Sequence, residues 1–143
     1  MKPSIIPVLV VFALASSGWA SLGDNSERIE DAYGTIVQRR LRDDGTVSVV
    51  YTKNRYLYMV TFANNRSISE SYSRVRGADL SEREITRFLK ANAAGATWTA
   101  NNPGAPYRFR RSDGEAEAIY APVNGRPALT VRELHFGHRA REQ

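Results

Sequence analysis

The feature that most constrains the fold is a series of strand-length apolar segments separated by short turns. In the first half of the chain the segments are 35–42, 47–52, 56–63 and 66–75, and the turns between them are DDGT, KNR and NN. Asp, Asn and Gly tolerate the backbone dihedrals of tight turns, which join neighbouring antiparallel strands. The pattern therefore predicts four antiparallel strands over residues 35–75.

A short amphipathic helix is predicted immediately before these strands. Asp24 and Glu27 have the spacing of a capping box, in which each side chain binds a backbone N–H at the start of a helix. Gly34 can adopt the left-handed conformation that ends a helix. The residues between them that fall on one apolar face are Ile29, Ala32 and Tyr33.

A second helix is predicted in LSEREITRFLKANAAG, where Ser81 and Glu84 form another capping box. Leu80 and Ile85 have the spacing of a hydrophobic staple, and Gly95 is the expected stop. The apolar stripe comprises Ile85, Phe88 and Leu89. After a predicted loop TANNPGAP come three strand-like stretches, YRFRR, EAEAIYAPV and PALTVREL, joined by the turns SDG and NGR.

Together these patterns predict an α+β fold, in which two short capped helices pack on antiparallel β meanders within one domain over residues 21–134. The halves, residues 24–75 and 80–134, share a capped helix that ends at Gly, an Asp-Gly turn and an apolar-Tyr pair at the same offset. A duplicated unit of one helix and three or four strands would explain this likeness. A coincidence of turn residues would also explain it.

An export leader is predicted at residues 1–20. Lys2 precedes an apolar run from Ile5 to Ala15, and small residues follow as far as Ala20, which is the three-part pattern of a secretory signal peptide. A membrane-spanning helix needs roughly 20 apolar residues, so the run is too short for an anchor. Cleavage after Ala20, or alternatively after Ala15, predicts a periplasmic or secreted protein whose mature chain has no transmembrane segment.

Composition narrows the partners of such a protein. The chain has no Cys, so an exported form is stabilised by its apolar core rather than by disulfides. The formal net charge is +5, but the basic residues are mostly Arg and are spread among acidic neighbours. We therefore expect an envelope protein or an anionic glycan or lipid surface as partner, and no nucleic acid. A solvated Arg-rich surface without a dedicated partner is the alternative, and the sequence indicates no oligomeric state.

The stretch GDNSERIEDAYG resembles the helix-then-Gly opening of the outer-membrane assembly lipoproteins of the SmpA/OmlA (BamE) type and of the β-lactamase inhibitor proteins. VVYTKNRYLYMVTFANNRSI continues that pattern, and the layout is also similar to small uncharacterised secreted bacterial proteins. The chain departs from the lipoproteins in lacking the N-terminal Cys and in having Thr35-Ile36 after Gly34, where the family favours a nearby Pro. The resemblance implies a protein-binding envelope module with a helix-plus-sheet fold.

The sequence predicts no catalytic residues, no metal site and no cofactor. His135 and His138 are three residues apart in residues 135–143, but they lack a third ligand of fixed geometry, so this segment is predicted to be a flexible tail. Other candidate carboxylates lie beside Gly in predicted turns, where backbone geometry explains them. These residues are Asp43, Asp44 and Asp113.

Aromatic residues of the third strand are the predicted binding surface. In YLYMVTFA, alternate residues share one face of a strand, so Tyr56, Tyr58 and Phe62 point the same way. Tyr72 of the next strand extends this face. Tyr is common at interfaces because it combines apolar area with a polar tip. The alternative is that both faces of the strand are buried.

These observations predict an exported, non-catalytic bacterial envelope protein, most simply a protein- or glycan-binding or inhibitor-like module. The alternative is a small periplasmic hydrolase or lyase that uses Asp or Glu with Arg, brought together from distant turns. An exposed aromatic sheet face would favour the first function. A deep pocket with Asp or Glu beside Arg would favour the second.

Overall fold

The computed structural model describes residues 20–102 and 107–135. Residues 1–19, which contain most of the predicted leader, lie outside the described residues. Most of the predicted tail, residues 136–143 with His138, also lies outside them.

Two helices and eight strands make up the described chain. Their order is α1 (Ser26–Tyr33), β1 (Thr35–Leu41), β2 (Val47–Lys53), β3 (Tyr56–Ala63), β4 (Arg66–Arg74), α2 (Glu82–Ala91), β5 (Trp98–Asn102), β6 (Tyr107–Arg111), β7 (Ala116–Val123) and β8 (Arg126–Glu133). Within the described residues, neither helix is long and apolar enough to cross a bilayer.

All eight strands belong to one antiparallel sheet with the order β1-β2-β3-β4-β8-β7-β6-β5. Each half of the chain forms a meander, and the last strands of the two meanders pair with each other. In this central ladder Tyr72 lies opposite Leu129, and Glu70 lies opposite Val131. The strand order is therefore symmetric about the β4–β8 pair.

The predicted α+β class is wrong, because the sheet dominates the fold. Strands contain 51% of the described residues and helices only 16%. The sequence pattern identified both helices, but it gave no sign that β4 and β8 would join the two meanders into a continuous sheet. One eight-stranded sheet with two short helices replaces the expected helices on separate meanders.

The predicted turns of the first half are present. Asn54, Asn64 and Asn65 all have positive φ angles, of 56°, 49° and 61°, which Asn tolerates better than most residues. Asn124 and Gly125 join β7 to β8 with φ angles of 51° and 78°. The prediction missed β5, because it assigned residues 99–106 to a loop.

The second helix begins as predicted, and the first begins one residue late. Ser81 and Glu84 form a complete capping box at α2, although the helix ends at Ala91 with Asn92 as its cap, before Gly95. At α1 the cap is Asn25, whose side chain accepts from the Arg28 N–H. Asp24 instead accepts from the Ser21 N–H at 2.9 Å.

A single core lies between the helices and one face of the sheet. The predicted helix residues Ile29, Ala32, Tyr33, Phe88 and Leu89 are buried there, and Ile85 is half-buried. Alternate strand residues supply the rest, including Val49, Tyr51, Tyr58, Val60, Phe62, Tyr72, Leu129 and Val131. The intervening residues, such as Ser48, Met59 and Thr130, point to the opposite face.

We predict that Phe88→Ala lowers the free energy of unfolding by about 3 to 5 kcal/mol, because removing a buried ring leaves a cavity. Phe88 is 0% exposed, and its ring stacks on Tyr72 with centroids 4.3 Å apart. A urea titration measures the change. Arg83→Ala, at an exposed position of the same helix, is the control. A loss below about 1 kcal/mol for Phe88→Ala would contradict this packing.

Candidate functional site

A groove lies between the end of α1, the β2–β3 turn and α2, and we call it the helix groove. Its cavity has a volume of about 620 Å³. Its lining residues are Ala32, Tyr33, Lys53, Asn54, Arg55, Tyr56, Tyr58 and Arg87. Among these described lining residues three are cationic, three are Tyr and none is Asp or Glu.

The β2–β3 turn places two of the cations at the rim of the helix groove. Asn54, with its positive φ, sets the tight turn between Lys53 and Arg55. The Lys53 Nζ donates to the Ala32 carbonyl oxygen at 3.1 Å. A cation at the C-terminal end of a helix is favourable because the last carbonyl groups carry partial negative charge. The turn is thereby tied to the end of α1.

The third cation, Arg87, lies against the aromatic rings on the α2 side. Its Nη2 donates to the Tyr56 hydroxyl at 3.1 Å, and its guanidinium carbon lies 5.9 Å from the centre of the Tyr56 ring. The same carbon is 5.8 Å from the centre of the Phe88 ring. These hydrogen-bond and cation–π contacts hold the charge over an aromatic surface.

Glu84 is the carboxylate that anchors Tyr56 from below the groove. The Tyr56 hydroxyl donates to Glu84, and the Arg74 Nε donates to the same carboxylate at 3.2 Å. Burial alone would raise the pKa of Glu84, but the hydrogen bonds from Arg74, the Ser81 N–H and Tyr56 lower it to about 2. Glu84 is therefore ionised, and its charge is bound by Arg74, Ser81 and Tyr56.

The four residues predicted to bind a partner have different positions. Tyr56 is half-buried and lines the helix groove, and Tyr58 is buried at its floor, where its ring stacks on Tyr33 with centroids 4.1 Å apart. Phe62 and Tyr72 are 4% and 1% exposed and belong to the core. The helices thus cover this face of β3. Binding by these residues stays a prediction. Of the four, only Tyr56 and Tyr58 line the helix groove, whereas Phe62 lines a separate cavity of about 210 Å³.

Beneath the groove lies a buried polar cluster that the sequence reasoning did not single out. The Tyr33 hydroxyl is 2.9 Å from Glu70 Oε1 and 3.1 Å from the Ala20 carbonyl oxygen. The Tyr72 hydroxyl is 3.3 Å from Glu70 Oε2 and accepts from Asn92 Nδ2 at 2.8 Å. We call Ala20, Tyr33, Glu70, Tyr72 and Asn92 the tyrosine–glutamate network.

Burial changes the acidity of this network. Glu70 is 0% exposed, and burial raises its pKa to about 8, with the nearby Asp24 carboxylate adding to the rise. Burial also raises the pKa of Tyr33 and of Tyr72, so both hydroxyls keep their protons. The alternation of strand residues could have identified Glu70, because it lies two residues before Tyr72 on β4 and therefore on the same face of the strand.

A smaller polar cavity, of about 200 Å³, lies near the end of β8. We call it the polar cavity. It is lined by Arg66, Arg111, Glu115, Glu133 and His135. The Arg66 Nη2 is 3.8 Å from Glu133 Oε1, and a ring nitrogen of His135 is 3.3 Å from the Gly114 carbonyl oxygen. No group of three potential metal ligands occurs within residues 20–102 and 107–135.

The carboxylates of two turns have structural partners. Asp44 accepts from the Thr46 N–H at 2.9 Å, and Asp113 accepts from the Arg111 Nε at 2.9 Å and from the Glu115 N–H at 3.0 Å. These hydrogen bonds lower the pKa of both acids. They are the local side-chain bonds by which Asp stabilises a tight turn.

A scan of protein-family models gave no match to this chain, and a search of curated proteins gave none either. Among solved structures the chain is similar to a cysteine-rich secretory protein from Staphylococcus aureus subsp. aureus Mu50, with a TM-score of 0.46 and 11% identity. The match covers 78% of this chain and 44% of that protein, so this chain spans less than half its length. The resemblance to the assembly lipoproteins and the β-lactamase inhibitor proteins stays a prediction.

We predict that a chain retaining Ala20 becomes less stable as the pH rises from about 5.5 to 8.5, and that Glu70→Gln removes this dependence. The folded chain keeps a Glu70 proton up to a pKa of about 8, whereas the unfolded chain releases it near the ordinary value of 4.5. Stability is therefore fully present below pH 4.5 and falls as the pH approaches 8.

Denaturant titrations across this pH range measure the effect. At about 1.4 kcal/mol per pKa unit, the expected loss of unfolding free energy is roughly 2 to 4 kcal/mol. Glu84→Gln is the comparison, because the low pKa of Glu84 places its contribution below this range. If the unfolding free energy of Glu70→Gln fell with pH as steeply as that of the unsubstituted chain, the prediction would be wrong.

Proposed function

We propose that this chain is an exported, non-catalytic bacterial envelope protein whose helix groove binds an anionic glycan. The leader pattern at residues 1–20 supports export. One observation carries the binding function: three cationic side chains and three Tyr residues surround one cavity of about 620 Å³.

The groove chemistry suits a ligand that has carboxylate groups on a partly apolar ring. Arg side chains bind carboxylates through paired hydrogen bonds, and both Arg55 and Arg87 line the cavity. Tyr56 is half-buried and offers part of its ring surface, and Tyr58 lies at the floor of the cavity. Burial raises the pKa of Tyr58 to about 12, so this hydroxyl stays protonated at neutral pH and can donate.

The cavity size favours a short glycan over a folded protein surface. Small-ligand sites usually enclose about 300 to 1,000 Å³, and the helix groove lies within this range. A protein partner would have to insert a single acidic side chain or loop. Binding to a protein is therefore the other outcome of the test below.

We predict that Arg55→Ser combined with Arg87→Ser weakens binding of galacturonate oligosaccharides at least tenfold in an isothermal titration. Tenfold corresponds to about 1.4 kcal/mol, which is within the range for losing two charged contacts. The measurement uses the full mature chain at two salt concentrations, because charge-dependent binding weakens as salt rises. Neutral malto-oligosaccharides of the same length are the ligand control.

A matched variant, Arg40→Ser with Arg110→Ser, removes the same charge from the opposite face of the sheet. Arg40 pairs with Ser48 and Arg110 with Glu117, both at positions that alternate with core residues. The affinity of this variant for galacturonate oligosaccharides is expected to stay within twofold of that of the unsubstituted chain. If both double variants weakened oligosaccharide binding equally, the loss would be an effect of net charge, and binding in the helix groove would be rejected. Charge variants are preferable to Tyr58→Ser, because Tyr58 is 6% exposed and its loss would damage the core.

The polar cavity favours a second candidate, a small hydrolase or lyase that uses a carboxylate beside Arg. Glu133 is 3.8 Å from Arg66, and Glu115 and His135 line the same cavity. A carboxylate and an imidazole together can serve acid–base catalysis. Incubation with purified peptidoglycan sacculi, followed by an assay of released soluble fragments, tests this. Release that Glu133→Gln abolishes would support the candidate, and no release would reject it.

A further inference from the structure

The segment before α1 is bound across the end of the core. The Ala20 carbonyl oxygen accepts from the Tyr33 hydroxyl at 3.1 Å, and Ala20 is 0% exposed. The Leu22 N–H donates to Asn92 Oδ1 at 2.9 Å, and the Gly23 N–H donates to the Ser67 carbonyl oxygen at 2.8 Å. The peptide bond between Ala20 and Ser21, where the leader is expected to be cut, therefore lies beside the tyrosine–glutamate network.

One carboxylate contacts the nitrogen of Ser21, and a second lies beyond the Tyr33 hydroxyl. The Ser21 N–H donates to Asp24 Oδ2 at 2.9 Å. Because the nitrogen and oxygen of one peptide group are about 2.3 Å apart, the Ser21 nitrogen is at most about 5.4 Å from the Tyr33 hydroxyl. That hydroxyl is in turn 2.9 Å from Glu70. Two cations are also bound to this segment: the Arg28 Nε is 3.3 Å from Asp24 Oδ2, and the Arg66 Nε donates to the Gly23 carbonyl oxygen at 3.4 Å.

A count of protons shows what Ala20 does to the network. If Glu70 is ionised, its two oxygens and the Ala20 carbonyl oxygen form three acceptors for the two hydroxyl protons of Tyr33 and Tyr72. If Glu70 is protonated, it donates to Tyr33, Tyr33 donates to Ala20, and Tyr72 donates to the other Glu70 oxygen. Every acceptor then has a donor, so the chain that retains Ala20 favours a neutral Glu70.

Removal of Ala20 changes this balance. Hydrolysis by an export peptidase breaks the C–N bond between Ala20 and Ser21, water supplies the second oxygen of the released Ala20 carboxylate, and the Ser21 nitrogen becomes an ammonium group. Tyr33 and Tyr72 can then both donate to Glu70, and two acceptors match two protons. A buried carboxylate is costly unless a positive group compensates it, and the new ammonium group is that positive group.

We propose that Asp24 binds the Ser21 α-ammonium group, which is created when the leader is cut after Ala20, and that the charge of this group compensates an ionised Glu70. The positive group that compensates the buried carboxylate is therefore present only after the leader has been removed. This inference rests on the export part of the proposed function, but it is independent of ligand binding in the helix groove. A cut after Ala15 instead keeps Ala20 and the neutral network.

The test compares the chain that begins at Ser21 with the same chain carrying an Nα-acetyl group, which removes the positive charge. The acetylated chain is expected to have an unfolding equilibrium constant at least tenfold larger at pH 6.5. Proton titration of the free amine by NMR is expected to give a pKa above the ordinary 7.7 to 8.0 of an α-amino group. A difference below twofold together with an ordinary amine pKa would overturn the proposal.

Asp24→Asn separates the ammonium site from other effects of acetylation. It should remove most of the difference between the free and acetylated chains and lower the amine pKa. Arg28→Gln controls for loss of the Asp24–Arg28 ion pair and should leave that difference intact. The chain beginning at Ser16 serves as the folded reference. If that chain folds and the chain beginning at Ser21 does not, the proposal is also wrong.

Galacturonate binding distinguishes this proposal from the proposed function. Binding to the helix groove by a chain whose acetylation has no effect would reject only the ammonium site. A strong acetylation effect in a chain that binds no oligosaccharide would reject only the groove.

Discussion

The pairing of β4 with β8 is the interaction on which the rest of the structure depends. It joins two local meanders into one sheet and places Glu70 and Tyr72 opposite Val131 and Leu129. Without this ladder each meander would have an open edge and only one short helix to cover its apolar face. With it, both helices pack on a common core, and the last strand of each meander becomes central and protected.

The helix groove follows from how the two helices share this sheet. Tyr33 of α1 stacks on Tyr58, whereas Phe88 of α2 stacks on Tyr72, so the helices lie over neighbouring strands. The β2–β3 turn closes the space between their ends, and Lys53 ties it to α1. Glu84 of α2 accepts hydrogen bonds from Arg74 and from Tyr56 of the groove lining. The cavity therefore keeps a cationic lining on an aromatic floor.

Local features of this fold could be predicted from the sequence, and non-local ones could not. The Ser81–Glu84 capping box and the Asn turns depend on neighbouring residues, and both are present. β5 was missed because TWTANN lacks a clear alternation of apolar residues and precedes Pro-Gly. The α+β class failed because the β4–β8 ladder joins residues far apart in the chain.

The candidate site was predictable only in part, for the same reason. Tyr56 and Tyr58 were selected from strand alternation, which gives the face of a side chain but not what covers it. Lys53 and Arg87 come from a turn and a helix that only the tertiary fold brings together. Glu70 had a local signal, its parity with Tyr72, but its burial depends on both helices and on residue Ala20.

The buried acid Glu70 affects how precisely the helices are positioned on the sheet. Replacing a whole buried polar network by apolar side chains of similar volume is often neutral or stabilising, so this network is a poor choice for stability alone. Its network, however, joins the segment before α1, both helices and β4 through directional hydrogen bonds. An apolar core tolerates small slips of a helix, whereas the directional hydrogen bonds of this network oppose them. The network thus links α1 and the end of α2, whose residues Tyr33 and Arg87 line the helix groove, to β4.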